Sequence, residues 1–137
     1  MRDHRNLEIF NKADQLVLEI YKQTASFPRY EVYGIISQMR RSAMSIASNI
    51  VEGCARETPA DYLHFLSIAY GSAKELEYQV SVAARLGYLP NDAVIVASSQ
   101  TMCRSLNAFI TGLKSKIAEA RKRKDDDSGL KPKAQSP

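Results

Sequence analysis

The spacing of apolar residues between positions 59 and 86 constrains the fold more than any other feature of the chain. Apolar side chains recur there at alternating steps of four and three residues, which is the heptad pattern of a helix packed lengthwise against other helices. Such a helix crosses its neighbours at a shallow angle. The residues of this seam are Tyr62, Leu66, Ala69, Ala73, Leu76, Val80 and Ala83.

The two ends of this helix are also marked in the sequence. Thr58 is a favourable N-cap, Pro59 suits the first helical position, and Asp61 places an acid three residues after the cap. Gly87 stands where the seam stops, and glycine readily ends helices. We therefore predict a helix over residues 59–86.

Two amphipathic segments precede this helix. Apolar residues at three- and four-residue steps predict a helix over about residues 7–25, and Phe27-Pro28 ends it, because the residue before proline disfavours the α region. The same pattern predicts a second helix over about 31–52. Gly53 follows it, and we expect this glycine to form a left-handed C-cap.

A fourth segment completes the architecture. Pro90 opens it, and its apolar spacing predicts a helix over about residues 92–121. No segment alternates like a β-strand. Four helices with short connections predict an all-α, left-handed, antiparallel up-down-up-down four-helix bundle over residues 1–120. Residues 121–137, a basic run and then an acidic run, are expected to form a disordered tail.

The positive charge of the chain is concentrated in this tail. The net charge is +4, with thirteen Lys/Arg against twelve Asp/Glu in residues 1–120 and six against three in the remainder. A basic tail modestly favours anionic partners through counterion release. The folded part taken as a whole is nearly neutral, so its charge must be judged by location.

The sequence also indicates a compartment. It contains no run of eighteen apolar residues, so we expect no membrane insertion. Cys54 and Cys103 are far apart and belong to no Cys-x-x-Cys or Cys/His cluster, which indicates reduced thiols and a cytoplasmic protein.

Candidate catalytic residues are scarce. Only His4 and His64 could supply an imidazole, and neither belongs to a metal-binding motif. No Gly-rich phosphate loop or nucleophile elbow occurs, and neither cysteine has a histidine partner placed by the sequence. We predict a protein that is not an enzyme and that has no catalytic residues, metal or cofactor.

Basic residues supply the candidate nucleic-acid contacts. In the folded part these are two adjacent arginines of the second helix and one just after it, and in the tail they are four consecutive residues. Surface ion pairs and favourable opposition to a helix dipole are the alternative roles. The predicted contacts are Arg40, Arg41, Arg56, Arg121, Lys122, Arg123 and Lys124.

A row of polar residues borders the apolar stripe of the second helix. Polar groups next to a core must be hydrogen-bonded, so we expect a structural network that fixes helix register, with a ligand site as the alternative. The row consists of Gln38, Ser42, Ser45, Asn49 and Glu52.

The third and fourth helices carry more apolar residues than one stripe requires. Such residues aligned on adjacent outer faces mark an interface, and we predict self-association, with a monomer of broad core as the alternative. The candidate interface residues are Leu63, Ile68, Tyr70, Val82, Ile95, Met102 and Phe109.

Four sequence blocks resemble a known family. These are Leu7-Glu8-Ile9-Phe10-Asn11-Lys12-Ala13, Ser37-Gln38-Met39-Arg40-Arg41-Ser42-Ala43, Ser45-Ile46-Ala47-Ser48-Asn49-Ile50-Val51-Glu52-Gly53, and the run from Phe65 to Glu77 followed by Leu86-Gly87-Tyr88-Leu89. Over about residues 6–117 the chain resembles the bacterial four-helix-bundle proteins encoded in intervening sequences of 23S ribosomal RNA genes. The resemblance implies a homopentamer that forms a ring. It also implies that the relatives of the chain include a basic, nucleic-acid-binding accessory protein of retroelements.

Together these observations lead to one functional expectation and one alternative. The expectation is a homo-oligomeric bundle that binds nucleic acid, specifically RNA, through the basic residues named above. The alternative is a protein–protein interaction scaffold with no nucleic-acid role.

Overall fold

The computed structural model of the chain describes residues 2–129 and contains four α-helices in that part, with no strand. Two short 3₁₀ turns, His4–Asn6 and Arg29–Glu31, precede the first and second helices. The helices are α1 (Glu8–Thr24), α2 (Ile35–Cys54), α3 (Pro59–Arg85) and α4 (Val94–Asp127).

The predicted ends of α3 are confirmed. The Thr58 side chain accepts a hydrogen bond from the backbone N–H of Asp61 at 3.1 Å, which satisfies a donor that the first helical turn leaves free. At the other end Gly87 has a φ of +81°, and the N–H of Tyr88 donates to the carbonyl of Ala83 at 2.9 Å. Gly87 thus forms a glycine C-cap, and the helix ends where the heptad seam stops.

The prediction that Gly53 forms a left-handed cap is wrong. Gly53 is buried inside α2, which continues to Cys54. A Cβ at this position would lie 3.1 Å from Cδ1 of Tyr62 and 3.2 Å from Cβ of Phe65. The glycine is therefore needed because α2 and α3 approach closely here, and not because the backbone turns.

The start of α2 and both ends of α4 also differ from the predicted boundaries. Residues 31–34 form the end of a 3₁₀ helix and a turn, so α2 begins only at Ile35. α4 begins at Val94 and runs past position 121 to Asp127, because residues 113–127 include no Gly or Pro to stop it. The predicted tail is thus helical in its first part, and residues 130–137 lie outside the described part.

The helices pack as a four-helix bundle. Each contacts its neighbour in the chain and α1 contacts α4, while no described Cα atoms of the diagonal pairs lie within 8 Å of each other. The centre is filled by fully buried aliphatic side chains from every helix, including Ile20, Ile46, Leu76 and Leu106. This ordering brings the connections 25–34 and 86–93 to one end of the bundle, which we call the loop end. Residues 2–7, the connection 55–58 and the last turns of α4 lie at the other end, which we call the basic end.

Candidate nucleic-acid interface

The predicted basic contacts of α2 do not form one surface. Arg41 lies near the start of α2 and Arg56 lies just beyond its end. At about 1.5 Å per residue, their backbones are separated by roughly 22 Å. Arg40 and Arg41 therefore belong to the half of the bundle that faces the loop end, and Arg56 belongs to the basic end.

Arg40 is engaged within the bundle. Its Nε donates to Oγ1 of Thr24 at 2.9 Å and its Nη2 donates to the carbonyl oxygen of Tyr21 at 3.3 Å. The guanidinium also lies 4.6 Å from the centroid of the Tyr21 ring. These contacts fasten α2 to the C-terminal turn of α1, where a cation opposes the negative end of the helix dipole.

Arg56 is held in a small cluster at the basic end. Its Nη2 donates to Oε1 of Glu52 at 3.2 Å, and its guanidinium lies 5.4 Å from the Phe65 ring centroid. Nη1 of Arg2 donates to the carbonyl oxygen of Arg56 at 3.0 Å, and the Arg2 guanidinium lies 4.0 Å from the Tyr62 ring centroid. The chain start is thereby fixed beside the start of α3.

Next to this cluster, the first turn of α3 and the C-terminal half of α4 enclose an open groove of about 720 Å³. We call it the basic groove. Thr58, Pro59 and Ala60 contribute the α3 side, and Leu63, Leu113 and Ile117 contribute its larger apolar side chains. The groove exists because α4, with 34 residues, is longer than α3, with 27, and so projects past the point where α3 begins by about 10 Å.

The charge of this groove is of one sign. Among the described residues that line it, none carries a carboxylate, and the positive end of the α3 dipole lies in its wall. Its cations are Arg2, Lys114, Lys116, Arg121 and Lys124. Two of these were predicted as contacts, whereas Lys122 and Arg123 are exposed on α4 and do not line the groove.

Sequence reasoning missed Arg2, Lys114 and Lys116. Lys114 follows a readable signal, because Lys114 and Arg121 are seven residues apart, so they share one face of a helix, and Lys124 follows three residues later. Arg2 carries no such signal, because only the folded chain brings it beside residues that are more than fifty positions away.

The polar row of α2 connects this helix to α3. Oγ of Ser45 and Oγ of Ser72 are 2.8 Å apart, and Nδ2 of Asn49 donates to the carbonyl oxygen of Ser45 at 2.8 Å and to its Oγ at 3.1 Å. The row continues to Glu52, which pairs with Arg56. These bonds favour the structural interpretation of the row.

Gln38, Arg41, Ser42 and Ser45 face a shallow polar groove of about 500 Å³ that Gln79 also lines. Oε1 of Gln79 is buried and has no hydrogen-bond partner among the described residues.

The prediction that Ile95 and Met102 belong to the interface is wrong. Ile95 and Met102 are 0% and 1% exposed, so they belong to the core of the single bundle. α4 contacts both α1 and α3 along this stretch, and the two neighbours bury a wider stripe than one heptad seam.

The other predicted interface residues are accessible to different degrees. Leu63 lies in the basic groove, and Phe109 packs edge-to-face against Tyr62 with ring centroids 6.3 Å apart. Tyr70 and Val82 are half-buried, and Ile68 is 39% exposed.

Two buried groups beside the basic end, Tyr62 and Cys54, are held in their protonated forms. Burial raises the pKa of Tyr62 to about 12, and the neighbouring Cys54 adds to this shift. Burial also raises the pKa of the Cys54 and Cys103 thiols. Within residues 2–129 no group of three or more His, Cys, Asp or Glu side chains is placed to hold a metal ion. No helix in that range is long and apolar enough to cross a membrane.

Comparisons with known proteins agree with this architecture. A solved structure of a protein with unknown function from the S23 ribosomal protein family of Bacteroides thetaiotaomicron VPI-5482 superposes with a TM-score of 0.66 at 25% sequence identity. The match covers 74% of this chain and 97% of that one. None of the curated proteins compared matches the chain. Residues 5–112, most of the chain, match the 23S rRNA-intervening sequence protein family, and the chain therefore belongs to that family.

Proposed function

We infer that the protein is a non-enzymatic, cytoplasmic, homo-oligomeric bundle that binds RNA through its basic end. The observation that carries this proposal is the basic groove, where the lining residues within 2–129 include five cations and no carboxylate. Phosphates are bound by such clusters of Arg and Lys, and the release of counterions supplies most of the affinity.

The proposal moves the binding surface away from Arg40. That arginine already uses two of its nitrogens and one face of its guanidinium within the bundle. The lysines of the groove make no ion pair within the described residues, so their charges are available to a phosphate. We therefore assign the principal contacts to Arg2, Lys114, Lys116, Arg121 and Lys124, and keep Arg56 as the residue that holds Arg2 in place.

The oligomer of the proposal is a homopentamer, which the family resemblance implies. Ile68 is the predicted interface residue that remains most exposed on the single bundle, and it supports an interface on α3. Assembly would present five basic grooves to one RNA, and linked sites of this kind bind with an avidity that one site lacks. Light scattering tests this directly, because a monomer at micromolar concentration contradicts the proposed assembly.

RNA binding is tested by replacing Lys114, Lys116, Arg121 and Lys124 together with Gln in the full-length protein and measuring fluorescence anisotropy with a labelled RNA. Each phosphate contact contributes about 0.7 to the slope of log affinity against log salt for a single strand. We expect the variant to lose more than tenfold in affinity and about 2 to 3 units of slope.

The matched control removes four charges from the other half of the bundle, at Lys22, Arg29, Arg41 and Arg85. All four side chains are exposed, so the control has the same net charge as the test variant. It should retain most of the affinity. Equal loss in both variants would mean that net charge and not the basic groove binds the RNA, and no binding even at low salt would remove the proposal.

A protein-interaction scaffold is the second candidate, and one observation favours it. Side chains at the loop end are strongly exposed, with Tyr30 at 79%, Tyr33 at 96% and Val94 at 64%. Exposed apolar groups gathered in one place are typical of protein-binding surfaces. This function predicts that replacing Tyr33 and Val94 with Ser abolishes partner capture while RNA affinity is unchanged.

A further inference from the structure

The basic groove has an apolar floor as well as a cationic rim. Leu63, Leu113 and Ile117 are half-buried at its base, and the exposed surface within the groove is mostly apolar. A site that bound only phosphate would gain nothing from this floor, because a phosphate has no apolar surface to bury. The occupant therefore carries negative charge and an apolar group together.

The size of the groove favours a single-stranded nucleic acid over a duplex as its ligand. Its volume of about 720 Å³ lies in the range of about 300–1,000 Å³ that encloses a small organic ligand, enough for roughly one or two nucleotides. In a duplex the bases are stacked inside and the phosphates lie outside, so a duplex could contact the rim but could not cover the floor. An unpaired nucleotide can do both.

The rim is partly preorganised for such a ligand. Arg2 is fixed by its hydrogen bond to the Arg56 carbonyl and by the Tyr62 ring beneath it. A cation that is already held in place loses less conformational entropy when it binds a phosphate. Lys114 and Arg121 lie on one face of α4, two turns or about 10 Å apart, so their side chains can contact different phosphates of one strand.

We propose that the basic groove binds unpaired nucleotides of single-stranded RNA, with a base against Leu63, Leu113 and Ile117 and the flanking phosphates on the cationic rim. This inference rests on the proposed function and narrows it to one form of RNA. The same charge complementarity is available to the acidic run Asp125–Asp127 of a second copy of the chain, and the experiment distinguishes that occupant.

The test uses the full-length protein, a labelled twelve-nucleotide uridine strand, and the duplex that this strand forms with its adenosine complement. Ile117→Phe adds a stacking surface to the floor and should raise single-strand affinity, whereas Ile117→Ser should lower it by about fivefold or more. Neither change should alter the salt slope, because the phosphate contacts remain. The gain in the Phe variant cannot result from misfolding. Val94→Ser, an exposed apolar position near the other end of α4, is the matched control and should have no effect.

Two results would overturn the inference while the proposed function stands: duplex binding as tight as single-strand binding, or no response to either change at Ile117. If Ile117→Ser instead disrupts the oligomer in light scattering, the groove receives a second copy and the inference is overturned. If the wild-type protein binds neither RNA, the proposed function and the inference both fail.

Discussion

The two ends of the bundle are built from different chemistry. At the loop end, the OH of Tyr88 donates to Oε2 of Glu31 at 2.8 Å and lies 3.3 Å from the OH of Tyr30. The Tyr88 ring also packs against Phe27, with centroids 5.3 Å apart. The connections at this end are thus fastened to each other by aromatic and hydrogen-bonding contacts, and Tyr30, Val32 and Tyr33 are exposed on their outer surface.

At the basic end, one helix projects past its neighbour and leaves an open surface. α4 continues beyond the first turn of α3, and the projecting turns carry Arg121 and Lys124. Ile110 is the last buried residue of α4. The difference shows that the location of the charges matters more than their sum, because the folded part is nearly neutral while the described residues that line one groove carry positive charge alone.

The largest expected effect is on the packing beneath the basic groove. Gly53→Val places two methyl groups and a Cβ against Tyr62 and Phe65, where a Cβ alone already lies at 3.1–3.2 Å. We expect the free energy of unfolding to fall by about 2–3 kcal/mol, measured by urea denaturation. Gly71→Ala is the control, because a Cβ there meets nothing within 4 Å, and it should be neutral or stabilising. A stable Gly53→Val protein would show that α2 and α3 do not approach closely at this end.

The next effect is a pH dependence at the basic end. Tyr62 has its pKa raised from 10.0 to about 12, so the folded state holds its proton more tightly than the unfolded state. This contribution to stability is complete below pH 10 and is lost as the pH rises to about 12. Between pH 9 and pH 11, the free energy of unfolding of the wild-type protein should therefore fall more than that of Tyr62→Phe. Urea denaturation of both proteins at both pH values measures this difference. An identical loss in the two proteins would contradict the burial of this phenol.

A smaller effect concerns the cap that begins the wall of the groove. Thr58→Ala removes the acceptor for the N–H of Asp61. The free energy of unfolding, measured by urea denaturation, should fall by about 1 kcal/mol. Thr58→Ser keeps an acceptor and should recover most of the loss. If RNA affinity of Thr58→Ala falls together with stability, fraying of the first turn of α3 opens the groove. If affinity is unchanged, the wall is held by its other contacts.

The smallest expected effect is local to the loop end. Tyr88→Phe removes the hydrogen bonds to Glu31 and Tyr30 and keeps the ring against Phe27. Amide hydrogen exchange should become faster in the Arg29–Glu31 turn, because a tie between the connections is gone. RNA affinity should remain at the wild-type value. A loss of affinity would mean that the two ends are coupled and that the comparison between them is too simple.

Local features of the sequence predicted the elements that depend on neighbours in the chain. Thr58 and Gly87 were assigned correctly because a cap is decided by a few adjacent residues. The architecture followed from the seams, and the fold is confirmed as a four-helix bundle. The extension of α4 to Asp127 was missed because a change to highly charged composition does not by itself stop a helix.

The other differences between the sequence-based predictions and the structure have one physical cause, which is packing between helices. Gly53 resembles a C-cap in the sequence, but its role comes from two aromatic residues of α3. Ile95 and Met102 lie off the predicted seam and are still buried, because two helices pack against α4 at that level. How wide a buried stripe is depends on how many neighbours cover it, and no single segment contains that information.

By itself, the sequence determined four amphipathic helices, the caps of α3 and the absence of known catalytic motifs, because periodicity and capping are short-range properties of a chain. Tertiary structure decided which charges meet. Arg2 reaches the start of α3 only because the antiparallel topology brings the chain start, the connection 55–58 and the end of α4 to one end of the bundle. The basic groove is a product of that convergence, since residues far apart in sequence can form a common surface only after the chain has folded.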